Sequence, residues 1–358
     1  MTQTLLWICL LLQVQSVDTP APPEAALLLS AGAEAENRHD LDGAISAFQK
    51  AARLAPSSSI VFIRLGAAYM KKGDYAAAIP PLKKAVALSP DSRPANQLLG
   101  FALLAQGYAA EAIPHFEVAH EEGALGIAQL EDGQPAPAVA NLQSALTKNP
   151  NDPDLLYYLS RAGTALASQS LDKLLSRFPG SVRGHQARGQ NDYAQNMLPE
   201  AMKEYEQALT LRPNLPGLRL ELGQVYAAAS EWEKAEEQFR VEAKLQPGNS
   251  EAAYRLGKVL LQRGKMQEAA SELQRSDALK PDMPETLYDL GKATISGDPN
   301  AAERAFTKVI ELEKQSPLAG QAYLALAAIH RKQGKPELAA REIEQYRQIE
   351  SVNHPPKP

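Results

Sequence analysis

A spacing of 34 residues recurs along the chain and limits what it can fold into. Glycines mark this step in two series, namely Gly66 and Gly100, then Gly189, Gly223, Gly257 and Gly291. Alanines recur in phase with them, as do large side chains at Phe48, Leu82, Phe116, Tyr205, Phe239 and Leu273. A unit this short cannot bury its own apolar face, so neighbouring units must stack into one continuous core.

Each period has room for two short antiparallel helices. The glycine lets the first helix approach its partner closely, and we expect the large side chains to fill the space between neighbouring units. Prolines end each second helix, because proline lacks an N–H and clashes with the preceding turn. They stand at Pro56, Pro90, Pro150, Pro213, Pro247 and Pro281.

The residues within one period resemble the tetratricopeptide repeat (TPR). That family shows an aromatic residue, Leu-Gly, Tyr, Ala, Phe, Ala and Pro in this order. Here Leu222, Gly223, Tyr226, Ala235 and Phe239 follow that order. The resemblance implies an all-α fold, a right-handed superhelical solenoid of about ten antiparallel helix pairs.

We expect the solenoid to occupy residues 25–350. Its units lie near 25–58, 59–92, 93–118, 119–152, 153–181, 182–215, 216–249, 250–283, 284–319 and 320–350. The fourth unit is compressed, because Gly126 comes only 26 residues after Gly100. The fifth is the most divergent, with Leu159–Ser160 in place of Leu-Gly and a shortened connection before Leu171.

The N-terminus carries an apolar run, LLWICLLL, from Leu5 to Leu12. The run is shorter than the about 20 residues that span a bilayer, so it predicts a signal peptide over residues 1–16. Val14 and Ser16 supply the small cleavage pair, although no Lys or Arg precedes the run. The alternative is a cytoplasmic adaptor with an N-terminal hydrophobic helix. Residues 17–24 indicate a Pro-rich linker, and residues 351–358 a flexible tail.

Charge and cysteine content exclude several classes of function. The net charge is −5, from 37 basic and 42 acidic residues, and the two signs are interspersed. Nucleic-acid binding would need a basic patch or stripe, so no nucleic-acid partner is expected. The single cysteine, Cys9, allows neither an intrachain disulfide nor a cysteine zinc site.

We find no pattern of residues that predicts catalysis. His115 and His120 are five residues apart, a spacing that does not bring two ligands together on a helix face. The chain also lacks the serine-elbow and phosphate-loop motifs. The sequence therefore predicts no catalytic residue, metal or cofactor. A remote alternative is an enzyme with a site in the irregular fourth and fifth units, around Asp154, Tyr157 and Arg161.

The resemblance implies that the first helices line a concave groove, through the second, fifth, ninth and twelfth residues of each unit. In the N-terminal half these residues are Leu29, Ile60, Ile63, Ala67, Met70, Phe101, Leu104, Ile127 and Leu130. In the C-terminal half they are Tyr157, Arg161, Gln186, Gln190, Tyr193, Gln224, Tyr254, Lys258, Tyr288 and Lys292. The apolar set could instead pack against adjacent helices, and both interpretations stay open here.

Two pairs, Tyr254/Lys258 and Tyr288/Lys292, occupy equivalent positions in consecutive units. Residues four apart share a helix face, so each pair places an aromatic ring beside a positive charge. Such a surface suits an extended peptide with acidic groups. The sequence thus predicts a non-catalytic scaffold for a protein or peptide partner, without a stable membrane span, in a bacterial cell envelope.

Overall fold

The computed structural model describes residues 22–353, which contain nineteen helices and no strand. The helices are α1 Pro23–Asn37, α2 Leu41–Leu54, α3 Ser59–Lys71, α4 Tyr75–Leu88, α5 Arg93–Ala105, α6 Ala109–Ala119, α7 Glu122–Glu131, α8 Pro135–Lys148, α9 Pro153–Arg177, α10 Val182–Ala194, α11 Leu198–Leu211, α12 Leu218–Ala228, α13 Trp232–Leu245, α14 Ser250–Gln262, α15 Met266–Leu279, α16 Pro284–Thr294, α17 Pro299–Glu313, α18 Pro317–Lys332 and α19 Pro336–Asn353. None of these helices is both long enough and apolar enough to cross a bilayer. The all-α fold predicted from the sequence is confirmed.

The predicted signal peptide lies outside the described residues, as do most of the predicted linker and residues 354–358. Helix α1 already begins at Pro23, inside the predicted linker, and α19 runs to Asn353, inside the predicted tail. The chain forms two compact bodies, an N-terminal body that ends at Ser170 and a C-terminal body that begins at Leu171.

In the N-terminal body, α1 to α8 form four antiparallel pairs, and each helix packs on the next. The glycine of each first helix contacts the large side chain of its own second helix. A Cβ atom on Gly66 would lie 2.4 Å from Cγ of Leu82, and one on Gly100 would lie 2.7 Å from the Phe116 ring. The large side chains therefore sit over the glycine of their own unit, whereas the sequence analysis placed them between units.

The C-terminal body repeats this contact in α10/α11, α12/α13, α14/α15 and α16/α17. A Cβ atom on Gly223 would come within 2.5 Å of the Phe239 ring, and one on Gly291 within 2.6 Å of the Phe306 ring. Both phenylalanines are fully buried. Because any side chain larger than hydrogen would displace these rings, glycine is required at the contact for steric reasons.

Eight of the nine helix pairs turn through a residue in the left-handed backbone conformation. Each stands seven residues after the small residue of the first helix, and the set is His39, Gly73, Gly107, Gly133, Asn196, Ser230, Gly264 and Gly334. Glycine and asparagine adopt this conformation at the least cost, which explains why they supply most of the set.

The fifth repeat unit is not the helix pair that the sequence analysis predicted for residues 153–181. It is one continuous helix, α9, of 25 residues. Counting seven residues from Ser160 gives Ala167, which stands where the other units have their left-handed residue. Alanine disfavours that conformation and is the best helix former, so the chain continues straight through the expected turn.

A buried carboxylate, that of Glu236, ties α13 to the turn between α14 and α15 through partly exposed cationic side chains. The Glu236 carboxylate accepts hydrogen bonds from Arg240 Nε at 2.7 Å and Lys265 Nζ at 2.9 Å, and from Arg263. Burial alone would raise the pKa of Glu236, but the hydrogen bonds from Lys265, Arg240 and Arg263 outweigh it and lower the pKa to about 2. The carboxylate therefore stabilises the fold in its charged form.

The contact between Gly223 and Phe239 gives a first test. We expect Phe239→Ala to lower the free energy of unfolding by about 3–5 kcal/mol, because it empties a fully packed site. Denaturant unfolding followed by circular dichroism measures this loss. The control is Leu211→Ala, at a side chain that is 53% exposed. A loss below about 1 kcal/mol for the Phe239 variant would contradict the assigned repeat frame.

The pKa of Glu236 gives a second test. Its folded value lies below the unfolded one, so its contribution to stability is present above about pH 4.5 and is lost as the pH falls towards 2. We expect Glu236→Gln to cost roughly 2–3 kcal/mol at pH 7, with the difference from wild type shrinking across that window. Glu237→Gln, at the exposed neighbouring carboxylate, is the matched control. An equal effect of both variants at pH 7 would refute the assignment.

Candidate functional site

Helix α14 carries the first predicted Tyr/Lys pair. Lys258 Nζ lies 5.6 Å from the centre of the Tyr254 ring and 3.5 Å from the Tyr254 hydroxyl oxygen. The Arg255 guanidinium also lies over this ring, at 5.7 Å, and pairs with Glu251 at 2.5 Å. Lys258 is exposed, and no carboxylate of residues 22–353 lies within ion-pair distance of it. Its charge is thus free to meet an anionic group above the ring.

Helix α16 repeats the arrangement with a different charge balance. Lys292 Nζ lies 5.6 Å from the centre of the Tyr288 ring, the same separation as in α14. It also lies 3.3 Å from Oδ1 of Asp289, which is buried. The Tyr288 ring packs edge-on against Phe306, with ring centres 5.6 Å apart. The predicted i,i+4 geometry is therefore present in both helices, but only Lys258 lacks an acidic partner within the described chain.

Both tyrosines are neutral hydrogen-bond donors at physiological pH. Burial, and then the charge of Asp289, raise the pKa of Tyr254 to about 12. Burial also raises the pKa of Tyr288, while Lys292 opposes this shift. Each half-buried ring thus presents apolar surface and a phenolic O–H beside an ammonium group.

The predicted glutamines are held by a carboxylate that the sequence analysis did not identify. Nε2 of Gln186 and Nε2 of Gln190 donate to the same Glu221 oxygen, at 2.9 and 3.1 Å. Burial, and then the charge of the Glu221 carboxylate, raise the pKa of the nearby Tyr205 hydroxyl. These amides are therefore already engaged within the fold.

The remaining predicted residues of this body differ in exposure: Tyr193 is exposed and Gln224 is half-buried. Glu221 and Asp289 could have been found from the sequence, because each directly follows the fifth residue of its unit, the groove position.

The N-terminal body contains a separate aromatic cluster at its last helix. The Arg161 guanidinium lies 5.9 Å from the Tyr157 ring centre and 5.7 Å from that of Tyr158. It also pairs with Glu131 on α7, at 3.0 Å. Tyr157 is 56% exposed. The structure thus places Tyr157 and Arg161 together, with the arginine already held by a carboxylate.

Three of the nine apolar residues predicted for the N-terminal groove are buried, and the other six are half-buried. Ile63 is only 3% exposed, and Met70 and Ile127 are also buried. Phe101 is half-buried and stacks edge-on against Phe116, with ring centres 5.1 Å apart. In this structure Ile63 therefore presents almost no surface to a partner, in line with the packing alternative.

Asp154, the first member of the remote enzymatic alternative, is half-buried in the first turn of α9, and its backbone N–H donates to Oδ1 of Asp152 at 3.0 Å. The other two members, Tyr157 and Arg161, form the cation–aromatic cluster just described. Within residues 22–353 no group of three or more His, Cys, Asp or Glu side chains is arranged to hold a metal ion.

Several solved structures are similar to this chain. MamA from Desulfovibrio magneticus RS-1 is 20% identical, over 48% of this chain and 97% of MamA, with a TM-score of 0.46. YrrB, described as a TPR protein with an unusual peptide-binding site, is 19% identical, over 51% of this chain and 93% of YrrB, also with a TM-score of 0.46. The APC/C hetero-tetramer Cut9-Hcn1 is 14% identical, over 92% of this chain and 88% of the matched one, with a TM-score of 0.42. No curated protein sequence matches the chain.

The sequence itself matches two profiles of known families. A tetratricopeptide repeat profile matches residues 29–93, 63–123, 220–284 and 296–351, which together span more than half of the chain. A second, described as TPR repeat, matches residues 189–229. Together with the helix pairs and their glycine contacts, these matches show that the chain belongs to the tetratricopeptide repeat family.

Proposed function

We propose that the protein is a non-catalytic scaffold that binds an extended, acidic segment of a partner protein. Membership of the TPR family supports a role in protein interaction. The observation that carries the finer proposal is the repeated pair in the C-terminal body, Tyr254/Lys258 and Tyr288/Lys292. Each pair places an ammonium group 5.6 Å from a tyrosine ring centre, on consecutive first helices.

The spacing of these pairs suits an extended peptide. Helices α14 and α16 are in contact, and packed helices have axes about 8–10 Å apart. An extended chain in the polyproline II conformation advances about 3.1 Å per residue and brings every third side chain to the same face, so acidic side chains three residues apart would reach both lysines. The ring beside each lysine would cover the aliphatic part of an acidic side chain and exclude water from its carboxylate.

The two lysines would contribute unequally. Lys258 has no carboxylate partner within the described chain, so it would meet an incoming acidic group without losing an existing ion pair. Lys292 would have to share its charge with Asp289, at 3.3 Å. We therefore expect Lys258 to contribute more to affinity than Lys292.

Charge reversal tests the groove with little disturbance of the core, because both lysines are exposed. We expect Lys258→Glu with Lys292→Glu to remove a partner that the wild-type chain retains in a pull-down from an envelope fraction. Tyr254→Ala with Tyr288→Ala should lose the same partner. Circular dichroism of each variant should match wild type.

The control is Lys244→Glu with Lys280→Glu, which reverses two exposed lysines at the ends of second helices. This variant should retain the partner. If the same proteins are retained by every variant, the Tyr/Lys groove is not the binding surface. A loss of helicity in the tyrosine variant would instead assign those rings a structural role.

We further propose that the protein works in a bacterial cell envelope after removal of residues 1–16. The support is the short apolar run from Leu5 to Leu12 followed by the small residues Val14 and Ser16. Cell fractionation with N-terminal sequencing tests this: we expect an envelope protein that begins at Val17. An intact N-terminus in the cytoplasmic fraction would favour the alternative of a cytoplasmic adaptor with an N-terminal hydrophobic helix.

A further inference from the structure

Helix α18 has one exposed face that the sequence analysis did not assign to the groove. Exposed positions recur at Pro317, Gln321, Leu324, Ala328 and Arg331, at intervals of 4, 3, 4 and 3 residues. Such intervals average close to 3.6 residues per turn, so these residues share one side of the helix. The part of the chain that the structure describes thus leaves this side of α18 open.

Leu324 and Ala328 hold the positions in α18 that the Tyr/Lys pairs hold in α14 and α16. In both of those helices the tyrosine stands three residues before the repeat glycine, and the lysine directly follows it. The corresponding small residue of α18 is Ala327, because it stands seven residues before the left-handed Gly334, as in the other units. Counting in the same way from Ala327 gives Leu324 and Ala328.

The three helices present these positions next to one another within the C-terminal body. Helix α18 contacts α16, just as α16 contacts α14. Because the helices stack in order, Leu324 continues the row of Tyr254 and Tyr288 by one repeat. The candidate binding surface therefore extends from α14 to α18.

Positive charge decreases along this row. Lys258 on α14 has no acidic partner among the described residues, and Lys292 on α16 shares its charge with Asp289 at 3.3 Å. On α18 an alanine, Ala328, stands in place of the lysine. Leu324 beside it is 41% exposed, and Ala328 is exposed as well. The third helix thus presents an apolar surface where the first two present a ring and an ammonium group.

We propose that Leu324 and Ala328 form a third, apolar site that takes an apolar side chain of the same partner segment. The site rests on the proposed function, since the two lysines define how that segment lies. Three residues of a polyproline II chain advance about 9 Å, close to the distance between packed helix axes. The segment would therefore carry two acidic residues three apart and an apolar residue three places further on.

The ends of the chain itself cannot supply this segment. Residues 1–21 and 354–358 lie outside the described part, and together they contain one acidic residue, Asp18. A segment that meets both Lys258 and Lys292 needs two acidic residues. The occupant that fits all three positions is thus a segment of another protein.

Synthetic peptides test the order of the three side chains. The labelled probe has glutamate at its first and fourth places, leucine at its seventh, and proline or glycine elsewhere, and it is made in both chain directions. In one direction, we expect the full chain to bind it about tenfold more tightly than the same peptide with serine for leucine, because contact with Leu324 removes apolar surface from water. A leucine moved to the eighth place should give no gain. Fluorescence anisotropy measures the affinities.

A variant at Leu324 completes a double-mutant cycle with the peptides. We expect Leu324→Ser to bind the leucine and serine peptides equally, with the affinity that the wild-type chain has for the serine peptide. The matched control is Leu279→Ser, at a side chain that is 42% exposed near the end of the second helix α15. This control should keep the tenfold preference, and circular dichroism of both variants should match wild type.

A charge placed on α18 should change the preference of the site. Ala328→Lys gives α18 the lysine that α14 and α16 carry, at an exposed position. We expect this variant to bind a peptide with glutamate at the seventh place more tightly than the leucine peptide, because the new ammonium group can pair with the carboxylate.

The outcomes separate the apolar site from the proposed function. If glutamate peptides bind without any gain from leucine, or if the gain survives Leu324→Ser, the apolar site is refuted and the Tyr/Lys surface stands. If glutamate peptides bind no better than peptides with glutamine in both places, the acidic segment is refuted. The apolar site then fails with it, because its register is counted from the two lysines.

Discussion

The close approach of two helices at a glycine is the contact on which this structure depends. At Gly66, Gly223 and Gly291 the first helix comes so near to its partner that a single methyl group would overlap a buried side chain. Each large side chain is thereby fixed over its own unit, which sets the distance between paired helices. The repeated distance then presents equivalent residues of consecutive first helices in register.

That register gives the C-terminal body its candidate binding surface. Two Tyr/Lys pairs occur one repeat apart because α14 and α16 have the same geometry, and both pairs show the same ring-to-ammonium separation. The residue after each tyrosine distinguishes them: Asp289 follows Tyr288 and lies 3.3 Å from Lys292, whereas Arg255 follows Tyr254, and Lys258 has no ion-pair partner among the described residues. The helix geometry is thus the same in both units, but the charge around the two lysines differs. This difference in charge is what would make the surface selective for one partner.

Much of this architecture follows from the sequence, because the steric requirements of helix packing restrict which residue types can occupy certain positions. Glycines, large residues and prolines at fixed offsets predict the helix pairs of the regular units. The single continuous helix of the fifth unit was not predicted, because only one residue, Ala167, indicates it. The importance of that position becomes clear only when the left-handed turn residues of the other units are compared. Hydrogen bonds such as those of Glu221 were missed because they join residues about 30 positions apart. Likewise, the sequence pattern around an apolar residue such as Ile63 is the same for a groove residue and for a core residue. Only the packing in the structure distinguishes the two.

The continuous helix α9 also bears on how the chain melts. In a stacked array each unit is stabilised by its neighbours, so order spreads from unit to unit through shared apolar contacts. Each of the six apolar clusters of the described residues lies wholly before Ser170 or wholly after it. Cooperativity is therefore interrupted at α9, and the chain should unfold in two separate transitions, each with its own midpoint temperature.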